Sequence, residues 1–456
     1  MSEKLIPWIL NGQDILTTGV TQQVVDPNGC QLTPASCLRD LEKDVNMLAE
    51  IAATGMQKWR DILFLDKRKI YERAKILALE RQDELKEAHV EIGGPDWFVN
   101  FNVGTLIDFI DEYSAQLSAS DGEIVKLNAS KLAMVIKEPI GPVLSMSPWN
   151  APVILCARSI LAPLTAGCSV VIKLTEKCPR VAYLLVRLFL EAGVPGETIQ
   201  LAHTTIEDTP KFVDLMLKNV FIKKINFTGS TNVGKIIAGV AAKYLKPCLL
   251  ELGGKNSTII EPDADLDEAI PKTIWASWAH QGQICMSTDS CYVHESIFEN
   301  FKTKLQTVAE ELAKEPQFNH KVRDSSIGSK VKTLIDDALT KGASLIFPDI
   351  IPDDESSTVI LGDITDRMEI SHTEIFGPVL TLSSYLDTKE LIQKLNEGSY
   401  GMKVSLWSKD IMKALDYAKQ IQVGGVHINL PTIHDESTLP HGGVNLSASG
   451  ECKSSK

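Results

Sequence analysis

No stretch of the 456-residue chain is apolar for long enough to cross a bilayer. A basic excess is also missing: the formal net charge is −13, which argues against nucleic acid or an anionic membrane as the main partner. The nine cysteines contain no CxxC pair, so reduced thiols in a cytosol-like compartment are expected rather than a disulfide framework. The opening residues, Met1 to Trp8, lack the basic and apolar runs of a signal or transit peptide. The final Ser454-Ser455-Lys456 is not the peroxisomal Ser-Lys-Leu signal, so the cytoplasm is the expected location. There is no internal repeat and no low-complexity segment.

What remains is ordinary for a soluble globular protein: 44% hydrophobic and 23% charged residues, with length for two or three domains. Short strands and turns are expected over 5–26. Apolar residues then recur at helical spacing over 39–61, for example Val45, Leu48, Ala49 and Ala52, and again over 67–92. A third helix should start after Gly93-Gly94-Pro95 and carry Trp97 and Phe101 on one face. Taken alone, those aromatics are more simply core residues. The runs 123–127 and 132–137 read as a hairpin.

From there apolar strands alternate with amphipathic helices. Strands are expected over 143–146, 169–173, 199–202 and 223–227, with helices over 152–166, 179–192 and 210–218 between them. Continuous apolar strands of this kind form a parallel sheet covered on both faces, with a nucleotide crevice at its carboxyl edge. A second α/β unit follows Glu251, with helices near 265–279, 297–313, 330–341 and 388–396. The polar stretches 315–326 and 348–357 read as its least organised parts.

Three pieces in order carry the chemistry. Ile225-Asn226-Phe227-Thr228-Gly229-Ser230 is a strand that breaks at glycine and restarts as a helix, presenting N–H groups that suit a phosphate. Leu250-Glu251-Leu252-Gly253-Gly254-Lys255 delivers a carboxylate into a glycine turn, and Gly282-Gln283-Ile284-Cys285 places a thiol after another. An anion site, a base and a nucleophile are what covalent acyl chemistry needs.

Together these pieces resemble the aldehyde dehydrogenase superfamily, over nearly the whole chain from Trp8 to Gly450 and most specifically between Pro139 and Phe376. Ile225 to Gly254, Gln281 to Thr288, Trp97, Phe101-Asn102-Val103 and Arg158 look most like the salicylaldehyde and vanillin dehydrogenase branch. The resemblance implies an α/β fold: a Rossmann-type NAD-binding domain (1–122 and 138–250), a catalytic domain (251–425) and a small β oligomerisation element (123–137 and 426–456).

It also implies roles. Cys285 is the nucleophile and Glu251 the base. Asn150, which read alone is a good helix N-cap, joins the Cys285 N–H in an oxyanion hole. The cofactor is NAD, with NADP use left open. It is expected along Met146, Ser147, Pro148 and Trp149, with Lys173 and Glu176 at the adenosine ribose and Gly229 and Ser230 at the phosphates. Leu252, Glu374 and Phe376 are expected around the nicotinamide half. Glu176 disfavours a 2′-phosphate by like charge. Trp97, Phe101 and Arg158 are the candidates for binding an aromatic aldehyde, and Ala151 leaves room for its ring. No metal is expected: His427, His434 and His441 are spaced by seven, and the prolines and glycines between them break any common helix face.

Four departures stand out. Leu174 replaces the family's proline after the lysine, and His203-Thr204-Thr205 replaces a glycine-rich strand end. Pro440-His441-Gly442-Gly443 stands where Pro-Phe-Gly-Gly is usual. The chain stops at Lys456, where relatives continue into a strand that crosses the subunit interface, so a homodimer is expected more than a tetramer. The alternatives are a general aliphatic or semialdehyde dehydrogenase and a catalytically silent binding protein.

Overall fold

A computed structural model describes residues 5–119, 122–128, 130–351 and 357–450. Strands Val143–Ser147 and Val170–Leu174 are buried at every position and pair in parallel, Val143 opposite Val170 through Ser147 opposite Leu174. Seven of their ten side chains are apolar, as a sheet covered on both faces requires. They are the centre of an eight-stranded sheet whose order is 13–15, 8–10, 199–201, 170–174, 143–147, 224–228, 248–251 and 448–449.

From Val143–Ser147 the chain builds outward to Val170–Leu174 and Ile199–Leu201, then returns to place Lys224–Thr228 on the other side. That reversal opens a crevice beyond Ser147 and Thr228, where an open α/β sheet binds its ligand. Helices Asp96–Gln116, Pro152–Thr165 and Pro179–Ala192 pack one face through Phe109, Ile160 and Phe189, all buried. Leu41–Asp61 and Thr209–Lys218 cover the other through Leu48, Phe212 and Met216.

The second sheet has seven strands in the order 344–347, 359–362, 379–385, 288–294, 256–260, 403–407 and 425–428, parallel except for the first. Its core gathers Trp278, Phe301 and Phe318. No helix among the described residues is long and apolar enough to cross a membrane.

Most expected elements agree with the structure to within a residue or two, and two places differ. The helix expected over 67–92 is two, Phe64–Glu80 and Gln82–Val90, parted at Arg81. The helix expected from 330 begins at Ser325, because the Asp324 side chain accepts from the Ile327 N–H at 3.3 Å and caps it. Near the chain's end, Gly425–Ile428 is the edge of the second sheet, and Ala448–Ser449 pairs antiparallel with Cys248–Glu251.

The hairpin Gly122–Asn128 and Lys131–Ile136 forms as expected, with Ile124, Leu132, Met134 and Ile136 exposed. Ala129 of its turn, residues 352–356 of the loose loop and the stretch from 451 to Lys456 lie outside the described residues.

Candidate active site

The carboxyl edge of the first sheet meets the amino edge of the second. Asn150 follows strand Val143–Ser147, Ser230 follows Lys224–Thr228, and Glu251 is the last residue of its strand. Facing them, Asn256 opens Asn256–Ile260, Cys285 lies just before Thr288–His294, and Glu374 precedes Val379–Tyr385. Residues far apart in sequence converge because strand ends of opposite polarity face one another.

The nucleophile's loop is held from several sides. His280, Gln281 and Gly282 take left-handed backbone angles, φ +50°, +55° and +66°. A β-carbon on Gly282 would sit 2.1 Å from the Gly377 carbonyl oxygen, so only glycine fits there. Two non-glycine residues in this region cost energy and persist only where the surroundings fix them. Gln281 Nε2 donates to the Phe318 carbonyl at 2.9 Å, and Gln283 Oε1 accepts from the Arg323 N–H at 2.8 Å. The His280 ring stacks on Phe98 with centroids 4.2 Å apart. Asn256 Nδ2 donates to the Cys285 carbonyl at 2.8 Å and to that of Ser287 at 2.9 Å.

Asn150 is not the helix cap that it would be by itself. The cap position is Ala151, and Asn150 Nδ2 donates to the Gln283 carbonyl at 2.9 Å. An amide carries two N–H groups, so a second donor is left for the cavity that Asn150 and Cys285 both line.

That cavity, about 340 Å³, also takes in Glu251, Arg158, Trp97 and Phe101. The Cys285 thiol is partly accessible, yet burial pushes it up to about 12, reinforced by the nearby Glu251 charge and opposed by Arg158. At rest it is therefore a thiol, and attack needs a base. Glu251, fully buried, lines the same cavity. The expected substrate residues form its walls rather than the core. Trp97 lies against Phe98 and Trp275, with centroids at 5.4 and 5.6 Å. Phe101 is 45% exposed at the mouth and Arg158 only 3% exposed. Among the described residues, no group of three His, Cys, Asp or Glu is placed to hold a metal.

Beside the cavity, the crevice has the donor set of a dinucleotide site. Gly229 and Ser230 start the 13-residue helix Thr231–Lys243, whose first N–H groups suit phosphate oxygens. Lys173 Nζ, buried, lies 3.9 Å from Glu176 Oε2, and Thr175 Oγ1 donates to that carboxylate at 3.1 Å. Burial lowers the Lys173 pKa, against the raising effect of Glu176. A cation and a carboxylate at one strand end match ribose hydroxyls.

The Glu374 carboxylate lies over Gly253, where an added β-carbon would come within 2.3 Å, and it accepts from the Gly254 N–H at 3.1 Å. Burial pushes this carboxyl up to about 7. Trp149 and Phe376 meet edge to face at 6.1 Å. The side chains of Met146 and Ser147 turn inward, Met146 into the core and Ser147 Oγ to Ser159 Oγ at 2.7 Å. They leave main chain and the adjoining Pro148 at the crevice.

Sequence reasoning gave no role to Lys255, Asn256 or Asp289, which support these groups. Lys255 Nζ and Asp289 Oδ2 form a buried pair at 3.2 Å, and Asp289 Oδ2 accepts from the Ile375 N–H at 3.1 Å, fixing the 374–376 segment. Trp275, Asp435 and His441 also line the cavity and were not singled out for it. Only the Gly-Gly-Lys-Asn run carried a visible signal.

Residues 17–456 match the Aldehyde dehydrogenase family. A vanillin dehydrogenase of Pseudomonas sp. is 32% identical over 413 residues, 90% of this chain and 86% of its own length. A crystal structure of a salicylaldehyde dehydrogenase from Pseudomonas putida, complexed with salicylaldehyde, superposes with a TM-score of 0.93 at 28% identity, covering 98% of this chain and 94% of that one. An NADP-dependent glyceraldehyde-3-phosphate dehydrogenase from Bacillus halodurans, complexed with NADP, gives 0.91 at 27% identity, covering 98% and 96%.

Proposed function

The chain belongs to the aldehyde dehydrogenase family, and from that membership we propose that it oxidises an aromatic aldehyde to its carboxylic acid through a thioester on Cys285. One observation carries the reading: Cys285, Glu251 and Asn150 line one cavity walled by Trp97, Phe101 and Trp275.

Glu251 removes the Cys285 proton, and the thiolate attacks the aldehyde carbon to give a thiohemiacetal. Its oxyanion is received by the second N–H of Asn150 and the backbone N–H of Cys285, where one such donor contributes roughly 3–4 kcal/mol. A nicotinamide dinucleotide, when bound in the crevice, supplies the hydride acceptor that turns this adduct into a thioester. Lys173 and Glu176 would hold its adenosine ribose, Gly229 and Ser230 its phosphates, and Glu374 the second ribose, with Leu252 and Phe376 beside the ring. Once it has released the thiol's proton toward solvent, Glu251 is again a carboxylate and takes a proton from the water that hydrolyses the thioester. A base at 251 suits hydrolysis rather than transfer to coenzyme A. Glu176 favours NAD over NADP by like-charge repulsion.

Arg158 offers a charge-assisted hydrogen bond to a ring oxygen, and stacking on the indole wall adds about 0.5–1.5 kcal/mol. The eight described cysteines are free thiols, which suits the cytoplasm. The exposed apolar residues of the 122–136 hairpin suit a homodimer interface, and light scattering showing a concentration-independent tetramer would count against it. The test of function is NADH formation from NAD with a panel of aldehydes. Turnover is expected, fastest on aromatic aldehydes; NAD binding without turnover on any of them would mark a silent protein.

A further inference from the structure

The segment that returns to the first sheet brings a histidine to the proposed base. Leu252 N–H donates to the Ser447 carbonyl at 2.8 Å and Glu251 pairs with Ala448, so the preceding turn lies against the end of the Glu251 strand. Upstream of that turn, before strand Val444–Asn445, His441, buried, has Nε2 at 3.8 Å from Glu251 Oε2 and Nδ1 at 3.6 Å from Asp435 Oδ2. The array runs inward to outward: the Glu251 side chain is 0% exposed, that of His441 5% and that of Asp435 20%. The other titratable or charged groups lining the same cavity are Arg158 on helix Pro152–Thr165, Cys285 on its loop, and His434 and Glu436 on the 429–443 segment.

We propose that His441 is a relay residue that empties Glu251 of the proton it takes from water, passing it toward solvent through Asp435. This rests on the reading of Glu251 as the base of thioester hydrolysis. A carboxylate that has accepted a proton must lose it before it can act as base in the next turnover. An imidazole is the one side chain that accepts at one nitrogen while releasing from the other near neutral pH.

The step balances without any other reactant. The water oxygen bonds to the thioester carbon, the carbon–sulfur bond breaks, and the thiolate of Cys285 leaves. The water proton goes to Glu251 and then to Nε2 of His441, while the Nδ1 proton goes to the Asp435 carboxylate. Each contact needs an approach of only about 0.5–1 Å to reach hydrogen-bond length. Phenylalanine, the residue expected at this position from the family resemblance, can fill the space but not carry the proton.

The test isolates deacylation with an activated aryl ester, which acylates Cys285 without hydride transfer and releases a coloured phenolate as a burst. The steady phase after the burst then reports thioester hydrolysis. E251Q should slow that phase; if it does not, the base reading fails and the relay with it. Given a slow E251Q, H441F should keep the burst but slow the steady phase about tenfold and lose an ionisation from its pH profile. H441A should recover rate in proportion to added imidazole, which a merely structural role would not produce. D435N, nearer the surface, should slow the same phase several-fold, and it carries the test if H441F does not fold. A steady phase in H441F or D435N equal to wild type from pH 6 to 9, or an H441A variant indifferent to imidazole, would overturn the relay while leaving Glu251 as base.

Discussion

The side-chain amide of Asn150 donates to the Gln283 carbonyl at 2.9 Å, so the end of the first sheet holds the loop that presents Cys285. One N–H is spent on the loop, which leaves one for the cavity that Asn150 lines. Asn150→Ala should therefore lose transition-state stabilisation and loosen the loop together, lowering kcat by about 10²–10³-fold. Asn150→Asp should be no better, because it keeps the size but removes both donors. Steady-state kinetics check this, and a kcat within threefold of wild type in either variant would remove Asn150 from the oxyanion hole.

Cys285→Ala should abolish dehydrogenation and leave NAD binding intact, since the residues proposed to hold the phosphates and riboses lie on other elements. Glu251→Gln should show a rapid-mixing burst of NADH followed by a slow steady state. Sustained turnover by Cys285→Ala would mean that the nucleophile is misassigned.

Glu176→Ala should narrow the gap between NAD and NADP by removing the charge that repels a 2′-phosphate. The ratio of specificity constants for the two cofactors measures it. A wild-type preference for NADP of more than tenfold would contradict the like-charge argument. Glu176 Oε2 lies 3.9 Å from Lys173 Nζ at the end of strand Val170–Leu174.

Buried histidines make stability depend on pH. Burial, aided by Lys173, lowers the pKa of His203 to about 3. Its folded value is below its unfolded one, so its contribution is complete above pH 6.5 and is lost as pH falls toward 3. Between pH 7 and 5 that loss is about 2 kcal/mol. The urea-unfolding free energy of His203→Gln should therefore fall over this interval by about 2 kcal/mol less than that of wild type. Parallel curves would show that His203 titrates alike in both states. Glu374, pushed up to about 7, acts with the opposite sign, so the difference between variants is the informative quantity.

The parallel first sheet could be read from the sequence because continuous apolar strands alternate with amphipathic helices, and Asn150, Glu251 and Cys285 could be singled out because each stands in a glycine- or proline-marked motif that resembles the family's. The break at Arg81 could not. Leu77, Leu85 and Ala88 keep helical spacing across it, so periodicity sees one helix where the backbone makes two. The early start at Ser325 was hidden for the reverse reason, since a polar first turn capped by Asp324 looks like loop. His441 drew notice as one of three evenly spaced histidines and as a departure from the family pattern. Its partner Glu251 is 190 positions away, a pairing that only the antiparallel return of Ala448–Ser449 creates.

The central claim, aromatic aldehyde oxidation in a cavity walled by Trp97, is tested most directly by the specificity constant for salicylaldehyde or benzaldehyde relative to hexanal. It should be measured with NAD in wild type and in Trp97→Ala. The aromatic substrates should be preferred by tenfold or more in wild type. Stacking of about 0.5–1.5 kcal/mol is worth roughly a 2- to 13-fold change, so the variant should lose most of that preference. A preference for hexanal, unchanged by Trp97→Ala, would contradict the aromatic reading.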